Sequence, residues 1–189
     1  MILSILTPSI PSRSTQLKAL SSEIGRQIGE RAVEHLVFCD NKQRTVGEKR
    51  DALLRLARGR YVAFVDDDDG IMTDYVESLL CAAESDPDVI TFRQDVIVNG
   101  FRSECEFRLG HPNEPFVAGQ LFKRNAWHVC AWRRTLAIQS SFPASNYGED
   151  WAFARLLCAI PNLREVHIPR VLHRYHHDAS TTQAPPPAG

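Results

Sequence analysis

Three times in its first 88 residues this chain alternates a run of apolar β-formers with a segment whose apolar residues recur three and four apart. MILSILTPS stops at Thr7-Pro8-Ser9, and the following SRSTQLKALSSEIGRQIGE carries Leu17, Leu20, Ile24 and Ile28 on one helical face. HLVFCDN ends in Asp40 and Asn41. GEKRDALLRLARG then aligns Ala52, Leu53, Leu56 and Ala57 ahead of Gly59, which is placed as a helix stop. YVAFV is the third run and MTDYVESLLCAAESDPD the third helix, with Thr73 placed to cap it and Asp86-Pro87 to end it. Continuous apolar strands alternating with helices predict an α/β fold in three layers, α/β/α, around a mostly parallel central sheet. Ligands of such sheets bind beyond the carboxyl ends of the strands, where Ser9, Asp40 and the aspartates of YVAFVDDDDG fall.

Beyond residue 88 the pattern changes. VITFRQDVIVNG and ECEFRLG flank Asn99-Gly100, a strong hairpin signal. QLFKRNAWHVC fits strand and helix equally. GEDWAFARLLCAI spaces Phe153, Leu156, Leu157 and Ile160 on one helical face, with acidic residues in its first turn. REVHIPRVLHRYHHD reads as extended, and the proline-rich STTQAPPPAG as a disordered tail. No internal repeat is visible.

With 189 residues the chain is expected to form one domain. Residues 1–100 carry 12 Lys+Arg against 16 Asp+Glu, and residues 101–189 carry 10 against 7, an asymmetry too mild to indicate nucleic acid. Five scattered cysteines without a CxxC pair suggest reduced thiols, neither a disulfide framework nor a zinc site. No apolar stretch is long enough to span a bilayer and no basic leader precedes the first apolar run, so a cytoplasmic protein is expected.

Four adjacent carboxylates repel one another, so Asp66, Asp67, Asp68 and Asp69 are either solvated or neutralised by a cation. A calcium loop starting at Asp66 fails in register, because Gly70 stands at position 5 instead of 6 and a strand precedes where a helix should. A magnesium or manganese site for a phosphorylated ligand needs only one or two protein carboxylates, the rest of its shell being water and phosphate oxygens. The position of the run, directly after a buried strand at the sheet's binding edge, favours this over a solvated loop.

GEKRDALLRLARGRYVAFVDDDD resembles the core of family-2 glycosyltransferases of the GT-A fold. Arg50-Asp51 opens the helix, Ala57-Arg58-Gly59 makes the turn, and Asp66 to Asp69 end the strand. SILTPSIPSR is similar to the family's first strand and nucleotide loop, and LVFCDN to its second strand, so the likeness spans about the first 75 residues in order. It implies a Rossmann-like nucleotide-binding fold and transfer of a sugar, with inversion, from a nucleotide-diphosphate donor, usually a UDP-sugar. Residues 1–178 are then one GT-A domain, with 1–88 as the nucleotide half and 89–178 as the acceptor half, and 179–189 as the tail.

By the resemblance Pro8 and Ser9 line the nucleotide, Asp40 binds the base, Arg50 holds base or ribose, Asp66 contacts the ribose, and Asp68 coordinates Mn2+ or Mg2+. NYGEDWAFARLL resembles the family's acidic pair beneath the acceptor, which implies Asp150 as general base with Glu149 and Trp151 toward the acceptor. A late histidine closes the family's metal site. In HRYHHDAS, His177 with Ser180 matches it, with His173 and His176 as alternatives and Arg174 preceding Tyr175 where the family has the reverse order.

Two other classes remain at this stage. A sugar-phosphate nucleotidyltransferase would carry a glycine-rich loop after the first strand, which TPSIPSRST lacks. A non-catalytic nucleotide-sugar-binding module is the second. The acceptor is left open among a glycan, a lipid-linked sugar, a protein and a hydroxylated nucleic-acid base, and the oligomeric state is not legible.

Overall fold

The computed structural model describes residues 1–177. Asp178, Ser180 and the tail expected to be disordered lie outside the described residues. Strand β1 (Leu3–Ser9) is buried along its whole length, with β2 (Val33–Cys39) and β3 (Tyr61–Phe64) parallel on either side of it. These are the three apolar runs of the sequence. Between and after them come α1 (Ser14–Ile28), α2 (Val46–Leu56) and α3 (Tyr75–Ala83).

The remaining strands extend the same sheet. They are β4 (Gly70–Ile71), β5 (Val89–Val98), β6 (Phe101–Phe107), β7 (Leu121–Arg124), β8 (Ala131–Arg133) and β9 (Glu165–His177). The order is β2-β1-β3-β8-β5-β6-β7, with β9 along β5 and β4 on β9. The longest pairings, β1 with β2 and β5 with β9, are parallel, while β8 joins β3 to β5 antiparallel to both. The Asn99-Gly100 hairpin forms as expected between β5 and β6.

Alternation along the central strands sorts the core into two layers. Tyr61, Ala63 and Val65 face α1 and α3, packing with Leu20, Ile24, Tyr75 and Leu79. Val62 and Phe64 face the other way, toward Leu53 and Leu54 of α2 and Phe153 and Leu157 of α5 (Glu149–Cys158). This is the expected three-layer α/β/α arrangement. Phe142 stacks on Phe153 at 4.0 Å between centroids and meets Phe64 edge-on, which fixes α5 against the end of β3.

Two local expectations are corrected. Thr73 does not cap α3. Gly70–Ile71 is drawn into β4 and the Met72 N–H donates to the Leu172 carbonyl, so the chain stays extended longer and Asp74 takes the N-cap position without a side-chain cap bond. The QLFKRNAWHVC segment is neither one strand nor one helix: it holds β7 and a loop, and β8 begins just after it. A short helix α4 (Arg134–Ala137), not anticipated, follows β8.

The turn at Gly59 shows why no side chain is accepted there. A Cβ on Gly59 would stand 2.5 Å from the Ser4 nitrogen and 2.6 Å from the Tyr61 carbonyl oxygen, both backbone atoms of the two central strands. Gly59→Ala is therefore expected to cost about 1–3 kcal/mol through forced strand separation. Urea denaturation measures it, and an unchanged midpoint would contradict the packing described. All five cysteines are free thiols. Among the described residues no helix is long and apolar enough to cross a membrane.

Candidate active site

A cavity of about 820 Å³ opens beyond the carboxyl ends of β1 and β3, between the first turns of α2 and α5 and the end of β9. Its size suits a small-molecule ligand. Two helix starts aim side chains into it. Thr45 and Glu48 form a reciprocal capping box that fixes the start of α2, and Gly148 (φ 74°) supplies the left-handed residue from which α5 begins.

Adjacent residues of α2 do different work. Lys49 is buried, donates to the Ser9 carbonyl at 2.8 Å and pairs with Asp40 Oδ1 at 2.6 Å, and the Lys49 ammonium holds the Asp40 carboxyl below its usual range. Arg50 bridges the two acidic motifs. Its Nη2 reaches both oxygens of Asp66 at 2.8 and 2.7 Å and its Nη1 donates to Glu149 Oε1 at 2.6 Å. Burial opposes charge on the guanidinium, but Asp66 and Glu149 outweigh it and raise its pKa. The partners respond unequally. Burial pushes both carboxyls up, yet Asp66, held through both oxygens, ends below the ordinary aspartate value while Glu149, held through one, ends above that of a glutamate. Asp66 is the firmly ionised member.

The aspartate run does not present one acidic face. The Asp69 N–H donates to the Asp66 carbonyl, folding the run into a turn whose four carboxylates have different surroundings. Asp67 points inward, accepting from Ser9 Oγ at 2.7 Å and Arg13 Nη1 at 2.9 Å. Asp68, about one-third exposed, meets Arg13 at 3.0 Å. Asp69 is buried, accepts from the His176 N–H at 3.2 Å and lies 3.5 Å from His173 Nε2. Gln94 Nε2 donates to His173 Nδ1 at 3.0 Å, which leaves the ring proton on Nε2, facing Asp69. Burial lowers the His173 pKa to about 3, so the ring is neutral.

Two cations, Arg13 and Arg50, thus face four carboxylates. Burial and then the neighbouring charges of Asp66 raise Asp68 and raise Asp69 well above 3.8. A carboxyl whose folded-state pKa is raised stabilises the fold fully only below its unfolded value and loses that contribution as pH climbs through the folded value. Asp69→Asn is accordingly expected to raise the metal-free melting temperature at pH 7, by about 2–4 °C for each kcal/mol of relieved repulsion. The gap should close near about pH 4, and a pH-independent difference in melting scans would contradict this assignment.

Asp150 occupies the first turn of α5. Its Oδ1 accepts from the Trp151 N–H at 2.7 Å, and Oδ2 lies 3.8 Å from Nδ1 of the buried His128. Burial and the charge of Arg50 depress His128 to about 4, so it too is neutral near pH 7. Trp151 is 49% exposed at the cavity mouth, with Arg155 over its ring at 5.1 Å. His177 ends β9 on the cavity wall, stacked near Tyr175.

Of the residues singled out from the sequence, the cavity wall gathers Pro8, Ser9, Arg50, Asp66, Glu149, Asp150, Trp151 and His177. Asp40 and Asp68 are not among the lining residues but pair with two that are, Lys49 and Arg13. Arg50 differs most from expectation: its Nη donors are spent on two carboxylates instead of facing a nucleotide.

Among the described residues no group of three or more His, Cys, Asp and Glu side chains is assembled to hold a metal ion. The donors nonetheless fit a hard divalent cation, which needs one or two carboxylates and takes its other ligands from phosphate and water. The incompletely neutralised Asp68 and Asp69 are that kind of donor.

Residues 24–141 match the family described as Glycosyl transferase family 2. The chain belongs to glycosyltransferase family 2. Among solved structures, S. aureus TarS 1–349 in complex with UDP-GlcNAc is similar at TM-score 0.68 and 15% identity, covering 97% of this chain and 62% of that one. The same TarS fragment with UDP gives 0.63 at 15% identity over 92% and 60%. A further TarS crystal structure gives 0.63 at 15% over 93% of this chain and 36% of that one. This glycosyltransferase family-2 chain therefore spans less than two thirds of each, and the likeness establishes a shared GT-A fold. A search of curated proteins finds no significant match.

Sequence reasoning about this family-2 chain missed Arg13, Lys49 and His128. Thr45-Val46-Gly47-Glu48 is a legible capping box that fixes the phase of α2 and so pairs Lys49 with Arg50. His128 lies in the segment whose periodicity was mute, and its neighbour Asp150 is 22 residues further on.

Proposed function

We propose that this chain is a metal-dependent, inverting glycosyltransferase that moves a sugar from a nucleotide-diphosphate donor, a UDP-sugar, to an acceptor hydroxyl. One observation carries the reading: a single buried arginine, Arg50, ties the aspartate turn after β3 to the acidic start of α5 across one cavity. Donor site and proton acceptor are thereby held in fixed relation. S. aureus TarS 1–349 has been solved in complex with UDP-GlcNAc, and the common fold makes uridine the first nucleotide to test.

In this reading residues 1–88 hold the nucleotide and 89–178 the acceptor. Pro8 and Ser9 contact the nucleoside, Asp40 takes the base and Asp66 the ribose, and Arg50 keeps Asp66 ionised and oriented. Asp68 and His177 are the residues that would hold Mn2+ or Mg2+, a cation that offsets the charge growing on the leaving diphosphate. Asp150 lines the cavity and accepts the acceptor's hydroxyl proton. The acceptor oxygen bonds to the anomeric carbon as the bond from that carbon to the diphosphate oxygen breaks, and the nucleoside diphosphate leaves with the electron pair. A single displacement inverts the configuration. Glu149 stays with Arg50, and Trp151 offers a half-exposed ring for sugar stacking.

A thermal-shift series with UDP-sugars tests this. Donor plus Mn2+ at 100 times Kd is expected to stabilise the fold by about 2.7 kcal/mol. Asp68→Ala should remove most of the metal-dependent part. Equal stabilisation with and without metal would sink the role given to the aspartates.

A further inference from the structure

Four cationic side chains, Arg13, Lys49, Arg50 and Arg124, line the cavity, and three of them are committed to carboxylates. Arg124 is different. No carboxylate of the described residues is paired with its guanidinium, and its buried Nε, like that of Arg50, has no hydrogen-bond partner among them. It is partly buried on the wall built by β6 and β7, lying over Phe122 at 5.4 Å and Trp127 at 5.6 Å from the ring centroids. The aromatic faces orient and partly offset the charge, but they satisfy none of its N–H donors.

A guanidinium lying over two rings, with no protein carboxylate on its fork, is matched to an oxyanion, which it binds through two parallel hydrogen bonds. Its place in the cavity indicates whose oxyanion. Arg124 adjoins Trp127, whose ring is 6.4 Å from that of His128, and His128 faces Asp150. This is the wall of the proposed proton acceptor, and His128 also stands within electrostatic reach of Asp66.

We propose that Arg124 is an anion subsite for the acceptor, so that the substrate receiving the sugar carries a phosphate or carboxylate group beside an apolar or ring portion that packs on Phe122 and Trp127. The assignment of this wall to the acceptor rests on the glycosyltransferase reading above. An anionic acceptor explains why one cavity arginine is left without a protein carboxylate while the others are neutralised internally.

Phenyl phosphate, benzoate and neutral phenol serve as probes, titrated by calorimetry into the full chain with UDP and Mg2+ present and absent. Phenyl phosphate and benzoate are expected to bind the UDP-loaded chain, at least tenfold more weakly to Arg124→Gln and with partial recovery in Arg124→Lys. Phenol should bind all three forms alike. Equal phenyl phosphate affinity in wild type and Arg124→Gln overturns the subsite. Displacement of phenyl phosphate by UDP overturns its assignment to the acceptor, because Arg124 would then serve the donor diphosphate. Failure of UDP itself to bind counts against the nucleotide-sugar reading alone, and the Arg124→Gln comparison in unloaded protein still decides the anion site.

Discussion

Asp150→Asn is expected to lower transfer by two to four orders of magnitude, about the contribution of a positioned general base, while leaving the fold intact. The physical grounds are local. Asp150 bonds within its own helical turn and lies 3.8 Å from a neutral histidine, so its charge is not built into a buried ion pair. Its loss removes a favourable charge at a helix start, about 0.3–1 kcal/mol. Circular dichroism and melting temperature should therefore match wild type closely. The substitution keeps shape and hydrogen bonding but cannot take up a proton, so kcat should collapse with the donor KM little changed. Turnover near that of wild type would remove the base assignment.

Arg50→Met should be among the most destabilising single changes in this chain, at about 3–5 kcal/mol, because it leaves the buried Glu149 carboxylate and the partly exposed Asp66 carboxylate without their cation. Methionine approximates the length of the stem, so the loss reads the charge more than the volume. Asp66 has a folded-state pKa below its ordinary value, so its pairing stabilises the fold above 3.8 and that contribution fades as pH falls through the folded value. The penalty of Arg50→Met should shrink on acidification accordingly. A double variant with Glu149→Gln should recover part of the loss at pH 7, since one of the two stranded charges is gone. Urea titrations at pH 7 and pH 4 read all three outcomes, and a loss under about 1 kcal/mol would mean the bridge is not the fixed strut described here.

The first three βα units were legible because β1 and β3 are buried on both faces and so read as unbroken apolar runs, while the helices between them keep one apolar stripe. The hairpin was legible from Asn99-Gly100, where Asn99 and Gly100 both take positive φ. Strand β8 was not, because three residues cannot establish a period and their strand character comes from lying between β3 and β5. Thr73 misled for a similar reason: pairing of Gly70–Ile71 with a strand a hundred residues later overrides the local capping preference.

The candidate site divides the same way. Asp66 to Asp69 and Glu149-Asp150 stood out as types in positions. What each carboxylate does depends on partners far away in sequence: Arg13 for Asp67 and Asp68, His173 for Asp69, and Arg50 between Asp66 and Glu149, 99 residues from the latter. The four aspartates are not four equivalent ligands. A turn gives them different surroundings: one is spent on Ser9 and Arg13, and one is locked to Arg50. Those long-range contacts convert a charge run into a shaped site, and no spacing rule along the chain encodes them.

The most direct measurement is product analysis after incubation of the chain with UDP-GlcNAc and Mn2+, with and without a phosphate-bearing alcohol as acceptor. Release of UDP with sugar of inverted anomeric configuration, abolished in Asp150→Asn when acceptor is present, is the predicted result. Release of pyrophosphate, or UDP-GlcNAc bound with no UDP formed under any condition, would contradict it.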